Sequence, residues 1–162
     1  MNKKSMVERW TDKNGNLTIR KAYKHYGDLR VEGDLIANDT LTVHGNLVVK
    51  GKIYCEEALD VHGDVWCGGN IFVSYYMNAA GIYSKRNIRV RETLKAVYGP
   101  IKAKGSINSG GVMFAAMDII AGRNIKSDLF VMANSYIIKG ERLTTKVPLY
   151  NKDFWGGFPP FK

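Results

Sequence analysis

The side chains of this chain with the most obvious chemical use are its three histidines and two cysteines. His44 and His62 occur in the similar contexts TVHGN and DVHGD, which indicates a repeat. Two imidazoles can bind a metal ion, and one can serve as a general base. The only further ligand type beside them is Asp60, so we interpret both as polar side chains on the outside of the repeat, and His25 as an inward residue near its first turn. We predict no catalytic residue, no metal and no cofactor.

The two cysteines have the character of core residues. Cys55 and Cys67 occupy places in the repeat where valine and alanine stand elsewhere, and their spacing puts them on different faces of it. A chain with two unpaired cysteines suits a reducing compartment, so we expect a cytoplasmic protein. The sequence contains no nucleophile elbow, phosphate loop or paired-cysteine metal motif, which favours a protein that is not an enzyme.

A six-residue repeat must position all of these side chains. It is clearest in residues 27–74, which read GDLRVE, GDLIAN, DTLTVH, GNLVVK, GKIYCE, EALDVH, GDVWCG and GNIFVS. The same pattern runs from Gly15 to Lys146 with two irregularities. One unit, residues 75–79, is a residue short, and Tyr98 is an extra residue that restores the phase. A deletion that a later insertion offsets is typical of a repeating coil.

Within each unit the third and fifth residues are apolar, which is the period of a β-strand with one buried face. Glycine, asparagine and aspartate at the first two positions predict corners with positive φ or local side-chain hydrogen bonds. The pattern therefore predicts an all-β fold, a single-stranded parallel β-helix with about 18 residues in each of about seven turns. Stacking the units in threes gives three inward columns, of which one begins Leu29, Leu47, Val65.

The repeats resemble those of the bactofilins, bacterial proteins that polymerise through a right-handed parallel β-helix. The resemblance rests on units such as GDLRVEGDLIAN, GPIKAKGSINSG and MDIIAGRNIKSD within residues 15–146. The competing family is the left-handed β-helix of the hexapeptide acyltransferases, whose units place a small or acidic residue directly after the aliphatic one. Here that place holds residues such as Trp66, Tyr83 and Lys102, so we favour the right-handed coil.

Two segments flank the repeat. Residues 1–14 are predicted to be an N-terminal extension or cap, and they lack the long apolar region of a secretory signal. Residues 147–162 form a tail rich in aromatic residues and proline, VPLYNKDFWGGFPPFK beginning at Val147. The tail either caps the last turn or docks on a neighbouring molecule, because the open end of a β-solenoid exposes unpaired strand edges.

The formal charge of +9 is distributed unevenly. Residues 27–84 have a net charge of −5, whereas residues 85–146 have a net charge of +8. Such a division differs from that of a uniformly basic nucleic-acid-binding protein. The candidate basic surface consists of Lys85, Arg86, Arg89, Arg91, Lys102, Lys104 and Lys126.

Apolar residues also occupy outward positions of the later turns, where a soluble monomer usually carries polar ones. They mark either an interface or the place where the tail packs. The candidate apolar interface consists of Val112, Phe114, Ile120, Phe130, Met132, Ile138, Phe154, Trp155 and Phe158.

We therefore predict a non-enzymatic scaffold protein that assembles with itself through apolar and charge-complementary surfaces. An acidic protein is a second possible partner; nucleic acid ranks lower, and we do not expect a membrane surface to be one. The main alternative is a small binding protein, encoded by a phage or mobile element, that grips a bacterial target with its basic and apolar late turns. A weaker alternative is a hexapeptide-repeat acyltransferase.

Overall fold

A computed structural model describes residues 5–145 and the backbone of residues 150–151. Short strands separated by corners account for nearly all of this chain. The elements are α1 (Met6–Trp10), β1 (Leu17–Ile19), β2 (Tyr23–His25), β3 (Leu29–Val31), β4 (Leu35–Ala37), β5 (Leu41–Val43), β6 (Leu47–Val49), β7 (Ile53–Cys55), β8 (Leu59–Val61), β9 (Val65–Cys67), β10 (Ile71–Val73), β11 (Met77–Ala79), β12 (Ile82–Ser84), β13 (Ile88–Val90), β14 (Leu94–Ala96), β15 (Ile101–Ala103), β16 (Ile107–Ser109), β17 (Met113–Ala115), β18 (Ile119–Ala121), β19 (Ile125–Ser127), β20 (Val131–Ala133), β21 (Ile137–Lys139), β22 (Leu143–Thr145) and β23 (Tyr150–Asn151).

Each strand pairs in parallel with the strand three places later, so the chain winds as a three-sided coil. Sheet A runs in the order β1-β4-β7-β10-β13-β16-β19-β22, sheet B in the order β2-β5-β8-β11-β14-β17-β20-β23, and sheet C from β3 through β6, β9, β12, β15 and β18 to β21. Residues one turn apart are partners in each sheet, as in the pair Leu17 and Leu35. The parallel β-solenoid, with about seven turns of roughly 18 residues, is thus confirmed. Its right-handed sense stays a prediction.

The two irregularities of the repeat occur at the same corner of the coil, one turn apart. Only Ala80 and Gly81 separate β11 from β12, whereas four residues including Tyr98 separate β14 from β15. The carbonyl of Ala80 accepts hydrogen bonds from the N–H groups of both Tyr98 and Gly99, at 3.1 and 2.7 Å. This doubled hydrogen bond absorbs the extra residue, so the strands on either side keep their register.

The third and fifth residues of the units fill the core, as the period of two predicted. Some fifth positions hold serine, and the hydroxyl of each of these serines forms a hydrogen bond. The hydroxyls of Ser84, Ser109 and Ser127 donate to the carbonyls of Gly69, Glu92 and Gly111, one turn earlier, at 2.7–2.9 Å. A buried hydroxyl is costly unless it forms a hydrogen bond. The fifth position therefore accepts serine because a corner carbonyl lies within its reach.

The corners differ from the sequence-based expectation. Within the described residues, only Gly15 and Gly27 have positive φ. Most corner glycines instead allow one turn to approach the next, since a Cβ on Gly51 would overlap the Asp34 side chain below it. Positive φ was therefore the wrong general explanation for these glycines.

The side chains of the corner aspartates and asparagines also form hydrogen bonds to the backbone of the next turn. The Asp34 carboxylate accepts the Lys52 N–H at 2.9 Å, and the Asn46 amide oxygen accepts the Asp64 N–H at 2.9 Å. Each bond joins residues 18 positions apart, so the side chain supports the turn above it. The expected local hydrogen bonds were thus wrong for these corners, where the acceptor lies one turn away from its donor.

The N-terminal helix α1 lies against the first turn. The helix begins with a capping box formed by Ser5 and Glu8. The side chain of each of these residues accepts a hydrogen bond from the backbone N–H of the other. Its half-buried Val7 and Trp10 contact the core, and the Trp10 ring meets the Tyr23 ring edge-on at 5.1 Å. The helix thus covers apolar residues at the start of the coil.

Candidate interaction surfaces

Apolar side chains occupy the outward positions of two of the three sheets in the last turns of the coil, whereas the outward positions of sheet A are polar there. Phe114 and Met132 are adjacent outward residues of sheet B, and Ile120 and Ile138 are adjacent outward residues of sheet C. Apolar residues at the adjoining corners extend this surface. This C-terminal collar consists of Val112, Phe114, Met117, Ile120, Leu129, Phe130, Met132, Tyr136 and Ile138.

Solvent reaches much of the collar. Met117, Leu129 and Ile138 are each close to half exposed, and Tyr136 is 60% exposed. At the same level the core itself opens, because the inward Ile137 and Leu143 are only partly buried. In the first turn Leu17 and Ile19 are fully buried, whereas the inward Tyr23 and His25 are only partly buried. The core is therefore partly open at both ends of the described coil, and the C-terminal end exposes more apolar surface.

Three residues of the predicted apolar interface, Phe154, Trp155 and Phe158, lie outside the described residues. The nearest described element is β23, which pairs with β20 and places Tyr150 beside Met132. The chain therefore adds a strand to sheet B next to the collar.

The predicted basic residues do not form one patch but occupy several sides of the coil. Arg89 and Lys126 lie outward on sheet A, Lys102 lies outward on sheet C, and Lys85 and Lys104 follow strands of sheet C at the next corner. Within residues 5–145, the ion pairs involve Arg30, Lys50, Lys52 and Arg123. The predicted basic residues therefore form no ion pair in this part of the chain.

On sheet A the basic residues adjoin an aromatic pair. Tyr54 and Phe72 stack with ring centroids 5.2 Å apart, and the guanidinium carbons of Arg89 and Arg91 lie 6.0 and 5.5 Å from the Phe72 centroid. These distances permit cation–π attraction. Arg89, Arg91 and Lys126 also line a cavity of about 410 Å³, to which Asp128 contributes the one carboxylate. The cations outnumber the carboxylate, so this site has the charge to bind an acidic group.

Sequence reasoning missed a second aromatic pair, on sheet C. Trp66 and Tyr83 are outward residues of consecutive turns, with centroids 3.9 Å apart and ring planes 5° apart. Partial burial, together with the nearby Asp64 carboxylate, raises the pKa of the Tyr83 hydroxyl. The available signal was the run of aromatic residues at the fourth position of the units IYC, VWC, IFV and IYS.

His44 and His62 lie at a corner of the early turns, on the outside of the coil as predicted. The His44 ring lies face to face with Tyr26 at 4.6 Å and edge-on to His62 at 4.4 Å. His25 is half-buried, and its Nε2 lies 3.0 Å from the Asp28 carbonyl oxygen. No group of three or more potential metal ligands occurs among the residues that the structure describes. The histidines thus join turns through ring contacts.

Both cysteines are free and buried, as core residues should be. Burial raises the pKa of each thiol to about 11, and backbone hydrogen bonds oppose the shift only in part. The thiolate is the reactive form of cysteine. At neutral pH, Cys55 and Cys67 are therefore protonated and shielded.

We expect both thiols to resist a thiol-specific reagent at pH 8 in the folded protein and to react fully in denaturant. Above pH 9 the unfolded chain loses its thiol protons, whereas the folded chain retains them until about pH 11. The free energy of unfolding should therefore fall as the pH rises through this window. Absorbance of the chromophore that the reagent releases measures the reaction of the thiols. Urea unfolding at pH 8 and pH 10 measures the change in the free energy of unfolding. Rapid labelling of the folded protein at pH 8 would contradict this description of the core.

No helix that the structure describes is long and apolar enough to cross a membrane. Comparisons with known protein families, with curated proteins and with solved structures found no match to this chain.

Proposed function

We propose that this protein is a structural scaffold that assembles with itself, and that its C-terminal collar forms the contact. The β-solenoid fold is compatible with such a role. A rigid coil presents the same side chains at a fixed spacing, so two copies can meet over several turns without first ordering a loop.

The observation that carries this proposal is the difference between the two ends of the coil. Helix α1 packs on the first turn, whereas the last turns expose the apolar residues of the collar. Contiguous exposed apolar surface on a soluble protein usually marks an interaction site. Contact between two C-terminal collars gives a closed, two-fold assembly, since the same surface serves both partners.

Charge favours a second, lateral kind of contact. The early turns carry a net charge of −5 and the later turns one of +8, so lateral contacts between staggered copies are attractive, whereas the two-fold contact between collars brings two basic halves together and depends on apolar burial. The resemblance of the repeats to those of bactofilins supports the same kind of role, a coil that builds an assembly. In this chain the covered first turn favours discrete oligomers over an indefinite end-to-end filament.

Light scattering over a range of protein concentrations tests self-assembly. We expect the average mass to exceed that of the monomer and to rise with concentration. The assembly should persist at high salt, because burial of apolar surface is not screened whereas charge contacts are. A monodisperse monomer at both low and high salt would refute the proposal.

The second candidate function is binding of an acidic protein target. Arg89, Arg91 and Lys126 favour it, because they form no ion pair within residues 5–145 and outnumber the single carboxylate of their cavity. A pull-down tests it. A stable one-to-one complex that Arg89→Glu abolishes would support a binding protein over a self-assembling scaffold, provided that the protein alone stays monomeric.

A further inference from the structure

A groove on sheet C has a volume of about 760 Å³. This volume lies within the range of small-molecule sites. The groove runs along the coil and crosses strands of five consecutive turns, from Val48 to Ile120. Trp66 and Tyr83 line it, and Lys50, Lys85, Lys102 and Lys104 also border it.

The aromatic pair forms an apolar wall. Because their planes are nearly parallel and their centroids only 3.9 Å apart, Trp66 and Tyr83 cover one face of each other. The register places Val48 beside the other face of Trp66, and valine is too small to cover an indole. Trp66 is accordingly 48% exposed, which leaves an aromatic surface open at the groove.

A gap in the column of corner side chains keeps the groove accessible. The residues directly after β6, β9, β12 and β15 are Lys50, Gly68, Lys85 and Lys104. A Cβ at Gly68 would overlap the Lys50 carbonyl oxygen, so this position must be glycine. No side chain therefore rises from the corner beside Trp66, while lysines flank the gap above and below it.

The lysines give the groove a positive border. Of the four, only Lys50 has an ion-pair partner among the described residues, the Glu32 carboxylate. Lys85, Lys102 and Lys104 are exposed and unpaired in that part of the chain, and no acidic residue lines the cavity. An apolar wall beside unpaired ammonium groups on two successive turns suits a ligand that has an apolar surface and closely spaced negative charges.

We propose that this groove binds an acidic polysaccharide, with the C–H surface of a sugar ring against Trp66 and its carboxylates on Lys85, Lys102 and Lys104. Corresponding positions of the groove recur at the strand spacing of ~4.8 Å. This spacing is close to the rise of a sugar residue in an extended chain. It matches less well the about 7 Å between every second residue of an extended peptide.

Single-stranded nucleic acid fits the groove less well. Such chains stack successive bases on successive aromatic rings with open faces. Here Trp66 and Tyr83 cover each other, so the pair cannot accept a base between its rings. Backbone pairing with a peptide is also blocked along the floor, because β9 and β12 already bond to strands on both sides.

Titration calorimetry with oligogalacturonate at low salt tests the site, since this probe is a linear chain with one carboxylate per sugar. We expect saturable binding that Trp66→Ala weakens about tenfold or more and that Trp66→Phe largely retains, because the apolar surface supplies the contact. The double variant Lys85→Glu/Lys104→Glu should abolish binding. Neutral dextran of similar length should not bind.

Matched variants outside the groove separate this site from general attraction to a basic protein. Tyr26→Ala removes an exposed aromatic side chain, and Lys21→Glu/Lys24→Glu makes the same change in charge at exposed positions. Both should bind oligogalacturonate like the unmodified protein. Equal weakening by these controls would overturn the proposal. The proposal would also be overturned if poly-glutamate or oligothymidylate bound as tightly as oligogalacturonate and if that binding depended on Trp66. An absence of binding at low salt would overturn it as well, whatever the oligomeric state.

Discussion

Replacing both Phe114 and Met132 with aspartate is expected to convert the assembled protein into a folded monomer. These residues are outward neighbours on sheet B at the centre of the collar, and they do not belong to the buried core. An interface built on them would bury two carboxylates, of which that at position 114 has Lys95 nearby, and burial of such charges is costly. Losses at the centre of an interface commonly reach about 2 kcal/mol, so the dissociation constant should rise about 30-fold or more.

Sedimentation velocity measures this change, and circular dichroism shows whether the coil remains folded. The matched control is Thr18→Asp/Asn108→Asp, which makes the same change in charge at outward positions of sheet A. The control should keep the mass distribution of the unmodified protein. If the collar variant assembles as strongly as the control, the collar is not the contact.

The second large effect concerns the core. Leu59→Ala should lower the free energy of unfolding by about 2–5 kcal/mol, the usual range for a fully buried leucine. Leu59 is 0% exposed and lies between Leu41 and Met77 of the adjacent turns, so the rigid strands on both sides limit collapse of the cavity. Urea unfolding followed by circular dichroism gives the value.

Thr42→Ala is the control for this measurement. Thr42 lies outward on β5, beside Asp60 on β8, and substitutions at such surface positions usually change stability by less than about 0.5 kcal/mol. A loss below about 1 kcal/mol for Leu59→Ala would show that the inner columns contribute less than their burial implies.

The period of the sequence was sufficient to predict the coil. Because third and fifth residues alternate with outward ones, the stacking of Leu29, Leu47 and Val65 follows from counting alone, and the structure shows this register. The compensating deletion and insertion were visible in the same way. A missing or extra residue shifts every later unit, so its place can be read from the phase.

The chemistry of the corners could not be read from one unit. The contact that requires glycine at Gly51 comes from Asp34 in the turn below, and it depends on how closely two turns approach. Serine at the fifth position was likewise unexplained until the Gly111 carbonyl was found 2.7 Å from the Ser127 hydroxyl. Such contacts arise between turns, whereas the repeat describes residues within one.

The surfaces were predicted only in part. The adjacency of Phe114 to Met132 and of Ile120 to Ile138 followed from the register. The groove beside Trp66 did not, because its shape depends on a missing side chain at Gly68 as much as on the residues present. The difference between the ends was also hidden, since a repeat does not show how each end is covered.

Cross-linking at the two ends tests the central claim most directly. A single cysteine introduced at Lys139, in the last turn, or at Lys13, before the first, is exposed, whereas the native Cys55 and Cys67 are buried. We predict that a short bifunctional maleimide joins two copies efficiently through Lys139→Cys and scarcely at all through Lys13→Cys. Equal cross-linking at both ends, or cross-linking confined to Lys13→Cys, would contradict assembly through the C-terminal collar.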